Sequence, residues 1–137
     1  MATKIRRELY LIPTLGEYLE YRHFLTCVDA SFNLIEIARN FFIPDSVMAN
    51  VIFQRFSYLT GTIISITNDI YSFEIEKEIG KINNIVYILK HKYNISDQEA
   101  LEKATDLLNE ELNKLLAAER LMPTYEGEMN EIVQKYI

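Results

Sequence analysis

Apolar residues recur at helical spacing along most of the chain, and no stretch alternates with a period of two for more than a few residues. The clearest stripe is Ala100, Leu101, Ala104, Leu107, Leu108, Leu112, Leu115 and Leu116. It predicts a helix that opens on the capping box Ser96-Asp97-Gln98-Glu99, runs to about Leu121 and stops before Pro123. Upstream, the pattern predicts one helix from about Glu17 to Asn40, with Leu19, Arg22, Phe24, Cys27, Phe32, Ile35 and Ile37 spread over both faces. Pro44-Asp45-Ser46 interrupts the chain and restarts it. A long helix then covers Ser46 to Ile79, with Gly61 as a kink or a close packing point and Gly80 past its end. A further helix spans about Ile82 to Tyr93, and Met129 to Tyr136 forms a last short one.

This is an all-α chain of about five helices, read as a single domain over residues 1–137. Four Gly and three Pro are too few for the frequent turns of an all-β fold. The segment from Val47 to Ile66 is apolar nearly all round, and such a helix expects neighbours on every side. So few helices do not supply them, which predicts exposed apolar faces and either self-association or a covering partner.

Charge and cysteine content narrow the setting. Fourteen basic against twenty acidic residues give a net charge of −6, which argues against a nucleic-acid partner. The longest uncharged run, Phe56 to Asn68, has 13 residues, short of the roughly 18 a membrane span needs. Residues 1–8 are basic but lead into no secretory signal. The lone Cys27 excludes an internal disulfide and reads as a small core residue in a reducing compartment. A cytoplasmic location is expected.

Candidate chemistry concentrates in Asn68-Asp69-Ile70-Tyr71-Ser72-Phe73-Glu74-Ile75-Glu76. Asn68, Ser72 and Glu76 stand four residues apart and share one helix face. An amide oxygen, a hydroxyl and a carboxylate are hard donors of the kind Mg2+ takes, with water and phosphate completing its shell. On spacing alone, a solvated helix face that carries Asn, Ser and Glu is the commoner reading. The remaining signals are bland. His23 has no second ligand at metal spacing, His91 sits in Lys90-His91-Lys92 near a helix end where positive charge suits the dipole, and Glu99, Glu102, Asp106, Glu110 and Glu111 read as a solvated acidic face.

The full pattern, Asn-Asp-x-x-Ser-x-x-x-Glu, resembles the second metal-binding motif of class I terpene synthases. Glu76-Lys77-Glu78-Ile79-Gly80 followed by Asn83-Asn84-Ile85-Val86 resembles the continuation of that motif. Leu15 to Arg22 resembles the segment with the family's diphosphate-sensing arginine, which lies 46 residues before the motif's Asn, and 68 − 46 = 22. The resemblance covers about Pro13 to Leu121. It implies packed helices around an apolar pocket, where three Mg2+ ions and basic side chains hold a prenyl diphosphate for ionisation and cyclisation. Asn68, Ser72 and Glu76 would hold one Mg2+, and Arg22 would bind diphosphate. Phe32, Phe53 and Tyr71 are candidates to face a carbocation, with plain core packing the commoner role for any one of them.

Departures from the family are equally specific. Its aspartate-rich first metal motif precedes the sensor arginine, yet the 21 residues before Arg22 contain no Asp. The cation usually found before the motif's Glu is Ile75, no glycine follows Arg22 until Gly61, and a C-terminal Arg-Tyr pair is missing. The chain therefore reads as a partial synthase fold lacking the N-terminal half and catalytically incomplete by itself. Two alternatives are an active synthase whose N-terminal half is missing from the record or supplied in trans, and a non-enzymatic helical interaction module.

Overall fold

The computed structural model describes residues 11–136. Seven α-helices follow one another there: α1 (Leu15–Leu25), α2 (Val28–Arg39), α3 (Asp45–Met48), α4 (Val51–Glu78), α5 (Ile85–Tyr93), α6 (Asp97–Arg120) and α7 (Gly127–Tyr136). No strand occurs among the described residues. The fold is all-α, as the periodicity predicts, with more helices than the five expected because two long segments are divided.

The first division falls at Thr26 and Cys27. Thr26 Oγ1 donates back to Arg22 O and His23 O at 3.3 and 3.0 Å, competing with the helical ladder. The same hydroxyl pairs with Ser65 Oγ at 3.1 Å, pinning the break against α4. Cys27 then adopts a left-handed conformation with φ 54°, where glycine is the usual occupant. It is exposed, contrary to the core position expected for it. The second division separates the single turn of α3 from α4. Asn50 restarts the helix, its Oδ1 accepting from the amides of Ile52 and Phe53 at 2.9 and 3.2 Å.

Helix α4 is the spine of the molecule, about 42 Å long for its 28 residues. Ile66 and Phe73 pack with Tyr18 of α1, Ile85, Val86, Ile88 and Leu89 of α5, and Ala100 and Ala104 of α6. Earlier along α4, Phe56 and Leu59 meet Ala118, while Phe53 meets Ile43, Val47 and Val133 at the far end. Gly61 lies inside the unbroken α4 and is a packing point against α1 and α2. A Cβ there would meet His23 Cβ and Val28 Cγ1 at 3.5 Å.

Helix α6 begins as its sequence announces. Ser96 and Glu99 form the reciprocal capping box, and Asp97 pairs with Lys77 at 2.8 Å and Lys90 at 2.6 Å. The acidic face is solvated with one correction: Glu111 is buried and bonded to Lys114 at 2.6 Å. Hydrogen bonds from Lys77 and then Lys90 hold the Asp97 carboxyl below its ordinary value, and Ser96 does the same for Glu99. A carboxyl held low in the fold contributes stability above its ordinary value and loses it as pH falls through the lowered one. The urea midpoint is expected to drop between about pH 5 and pH 3. Asp97→Asn with Glu99→Gln should lose part of that drop. An equal drop in the double variant would show that this helix end does not sense acid.

Candidate metal and diphosphate site

The site is built where α1 crosses α4 and the α4–α5 turn folds over both. Thr14 caps α1, with Glu17 completing the capping box, so Tyr18 and Arg22 fall one turn apart on its buried side. Arg22 is 9% exposed and reaches α4 with two arms of its guanidinium. Nε donates to Asp69 Oδ1 at 3.1 Å, Nη2 forms a short contact with the same oxygen, and Nη2 also reaches Asn68 Oδ1 at 3.4 Å. The third arm, Nη1, is committed to neither residue. The arginine that the family resemblance singles out 46 positions upstream thus lies directly against the motif.

Asp69 is the anchor. It is fully buried and accepts from the amide of Ile85 at 2.8 Å in addition to the Arg22 fork. Burial lifts its carboxyl, while Arg22 and the Ile85 amide pull the other way. Burial works to lower Arg22 too, but Asp69 outweighs it and raises the guanidinium above its ordinary value. Burial, then the neighbouring charge of Asp69, raises the hydroxyl of Tyr18, which stays protonated.

The three candidate donors differ in their surroundings. Asn68 is exposed, its amide oxygen turned toward Arg22. Ser72 Oγ is buried and has no hydrogen-bond partner among the described residues. Glu76 is buried, with Oε1 accepting from Lys81 Nζ at 2.8 Å and Oε2 from Asn84 Nδ2 at 3.2 Å. Burial would lift the Glu76 carboxyl, but those two bonds hold it below its ordinary value, so it is charged at neutral pH. Each of its oxygens keeps a second lone pair for another partner.

An orphaned hydroxyl is costly unless something completes it. Ser72 is flanked one turn away on either side by an amide oxygen and an anionic carboxylate, and that donor set fits a hard divalent cation. No cluster of three or more His, Cys, Asp or Glu suited to a metal exists among the described residues, so the mixed amide, hydroxyl and carboxylate face is the candidate.

Beside the donors, the same helix presents an uncovered apolar stripe. Ile64, Tyr71, Ile75 and Ile79 are exposed, Tyr71 by 86%. Two to four turns before Asn68, a cavity of about 210 Å3 lies between α1, α3 and α4, lined by His23, Met48, Phe53, Gln54, Ser57, Tyr58 and Gly61. The three aromatics named as candidates to face a cation do not converge. Phe53 is core, Phe32 packs its ring edge on Tyr136 at 6.0 Å, and Tyr71 stands in the open. His23 packs near Tyr58, ring centroids 5.5 Å apart.

The motif spacing does not single out Asn84, Lys81 or the anchoring role of Asp69. Asn84 had a visible signal, since an Asn before the apolar run Ile85-Val86 is an N-cap candidate. Lys81 had none.

No helix among the described residues is long and apolar enough to cross a membrane. Residues 3–114 match a family profile described as terpene synthase family 2, C-terminal metal binding. The chain is 28% identical over 127 residues to a germacrene A synthase of Nostoc punctiforme, covering 93% of this chain and 39% of the relative. It is 26% identical to a (+)-T-muurolol synthase of Roseiflexus castenholzii, with 97% and 41% covered. The crystal structure of an α-eudesmol synthase superposes with a TM-score of 0.80 at 24% identity, over 90% of this chain and 41% of that one. The chain thus spans about two-fifths of the length of these relatives, and on this evidence it belongs to the terpene synthase family, matching its C-terminal metal-binding part.

Proposed function

We propose that the motif face of α4 and the Arg22 fork bind the diphosphate end of a prenyl diphosphate through Mg2+, as the C-terminal portion of a class I terpene synthase site. The observation that carries this reading is the buried, unpartnered Ser72 hydroxyl between the Asn68 amide and the Glu76 carboxylate. Asn68, Ser72 and Glu76 would hold the metal, which when bound stabilises the negative charge that develops on the leaving diphosphate. Arg22 is positioned in advance: Asp69 locks Nε and Nη2, so Nη1 meets an anionic oxygen without reorganising the side chain. The apolar cavity over Gly61 begins about 10 Å from Asn68 along the same helix and offers room for an apolar tail.

The residues 1–137 form one unit in this reading, working in the cytoplasm and binding substrate without turning it over. One donor trio does not hold three ions, and no aspartate-rich motif is present in the chain. The exposed Tyr71, Ile75 and Ile79 leave the site open to water, where an allylic cation is not protected.

The test is incubation of purified chain with farnesyl diphosphate, with and without Mg2+, read by equilibrium binding and by gas chromatography of volatiles. Metal-dependent binding without a hydrocarbon product is expected. A metal-dependent hydrocarbon, lost in Asn68→Ala, would overturn the incompleteness. Binding indifferent to both Mg2+ and Asn68→Ala would overturn the site.

A further inference from the structure

Glu76 is held by two partners of opposite character. Asn84 is completely buried and donates through the same Nδ2 to Asp69 O at 2.7 Å and to Glu76 Oε2 at 3.2 Å, while its Oδ1 caps Val86 N at 2.9 Å. That partner is fixed. Lys81, on Glu76 Oε1, has a side chain 47% exposed on a flexible stem. Its backbone is nevertheless tethered. Gly80 turns the chain with φ 68°, and Lys81 N donates to Glu76 O at 2.9 Å. The ammonium can therefore leave Oε1 without leaving the neighbourhood of Glu76.

The other lysine close by, Lys77, is engaged by Glu74 at 3.2 Å and Asp97 at 2.8 Å on a different face. Position 75, next to Glu76, is an exposed isoleucine. Lys81 is thus the cation that the fold places on the Glu76 carboxylate.

We infer that Lys81 is an exchangeable counter-ion of Glu76, displaced from Oε1 when a divalent metal binds and then available as a second cationic ligand, beside Arg22, for the diphosphate. The inference rests on the function proposed above and extends it to a residue outside the Asn-Ser-Glu set. A divalent ion at Glu76 repels an ammonium at hydrogen-bond distance, and a dianionic oxygen cluster on that ion attracts it.

Lys81→Met, with Lys81→Arg as the charge-retaining control, separates the two halves of the exchange. In titrations with Mn2+ alone, read by electron paramagnetic resonance, Lys81→Met is expected to bind about two- to fivefold tighter, the range of an ion pair with an exposed partner. With inorganic diphosphate at saturating Mg2+, read by calorimetry, the same variant should bind about two- to fivefold weaker and Lys81→Arg should restore affinity. Far-UV circular dichroism confirms that each variant is folded. Unchanged Mn2+ affinity in Lys81→Met overturns the exchange. Tighter metal with unchanged diphosphate overturns the ligand role. Wild-type binding that Asn68→Ala does not alter would instead remove the metal site itself, whatever Lys81 does, and absence of Mn2+ binding by the wild-type chain would sink both.

Discussion

Replacing Asp69 with alanine is expected to cost about 3–5 kcal/mol, a large share of the stability of a chain this size. The carboxylate has no solvent exposure and serves two buried partners, the Arg22 guanidinium and the Ile85 amide. Its removal strands a buried positive charge, which is far worse than losing an ion pair at the surface. The Ile85 amide, at the first residue of α5, is orphaned as well. In the Asp69→Ala background, Arg22→Leu should recover part of the loss, because no charge is then left unpaired. Urea denaturation of the two single variants and the double variant gives the coupling, expected to exceed about 1 kcal/mol for groups in direct contact. Additive losses would mean that Arg22 and Asp69 do not form the pair described. A small loss in Asp69→Ala would mean that water reaches the pair.

The second large effect is expected at Asn84. One side chain joins the carbonyl of Asp69, the carboxylate of Glu76 and the start of α5. Asn84→Ala removes the N-cap, worth about 1 kcal/mol, takes the second donor from a buried mid-helix carbonyl and leaves one carboxylate oxygen without its donor. The sum is expected at about 2–4 kcal/mol by urea denaturation. Unlike most core losses it carries a second signature. Glu76 is freed on the Oε2 side, so Mn2+ affinity changes even in the fraction that remains folded. Asn84→Asp keeps the cap oxygen but sets a carboxyl against Glu76, and is expected to destabilise nearly as much at neutral pH and less in acid. A purely structural role would change stability alone.

What the sequence made legible follows the range of each interaction. The capping box at Ser96 and Glu99 closes within four residues, and its prediction is met residue by residue. The helical stripe of α6 and the glycine stop after α4 are equally local. The break at Cys27 was not legible. Thr26 competes with its own helix, but what holds the break is Ser65, 39 residues away. The restart at Asn50 was missed for a different reason, since an apolar run on both sides of a lone Asn conceals an N-cap.

At the site, spacing placed Asn68, Ser72 and Glu76 on one face and the family resemblance placed Arg22 nearby. Neither assigned Asp69, which stands in the motif yet turns inward, a third of a turn from Asn68. Lys81 acquires its contact only because Gly80 reverses the chain at the helix end. Aromatic identity alone proved uninformative: Phe32, Phe53 and Tyr71 are chemically alike, and burial sorts them into a ring contact, a core residue and an exposed side chain.

The central claim is that the motif face of α4, adjoining Arg22, is where a divalent ion and a diphosphate bind. The most direct measurement adds Mn2+ and inorganic diphosphate to isotopically labelled chain and maps paramagnetic broadening of the backbone amides by nuclear magnetic resonance. The account predicts broadening centred on residues 68–76 and extending to Arg22, abolished by Asn68→Ala with Glu76→Gln. Broadening centred on the acidic face of α6, around Glu102 and Glu110, or unaffected by that double substitution, would contradict it.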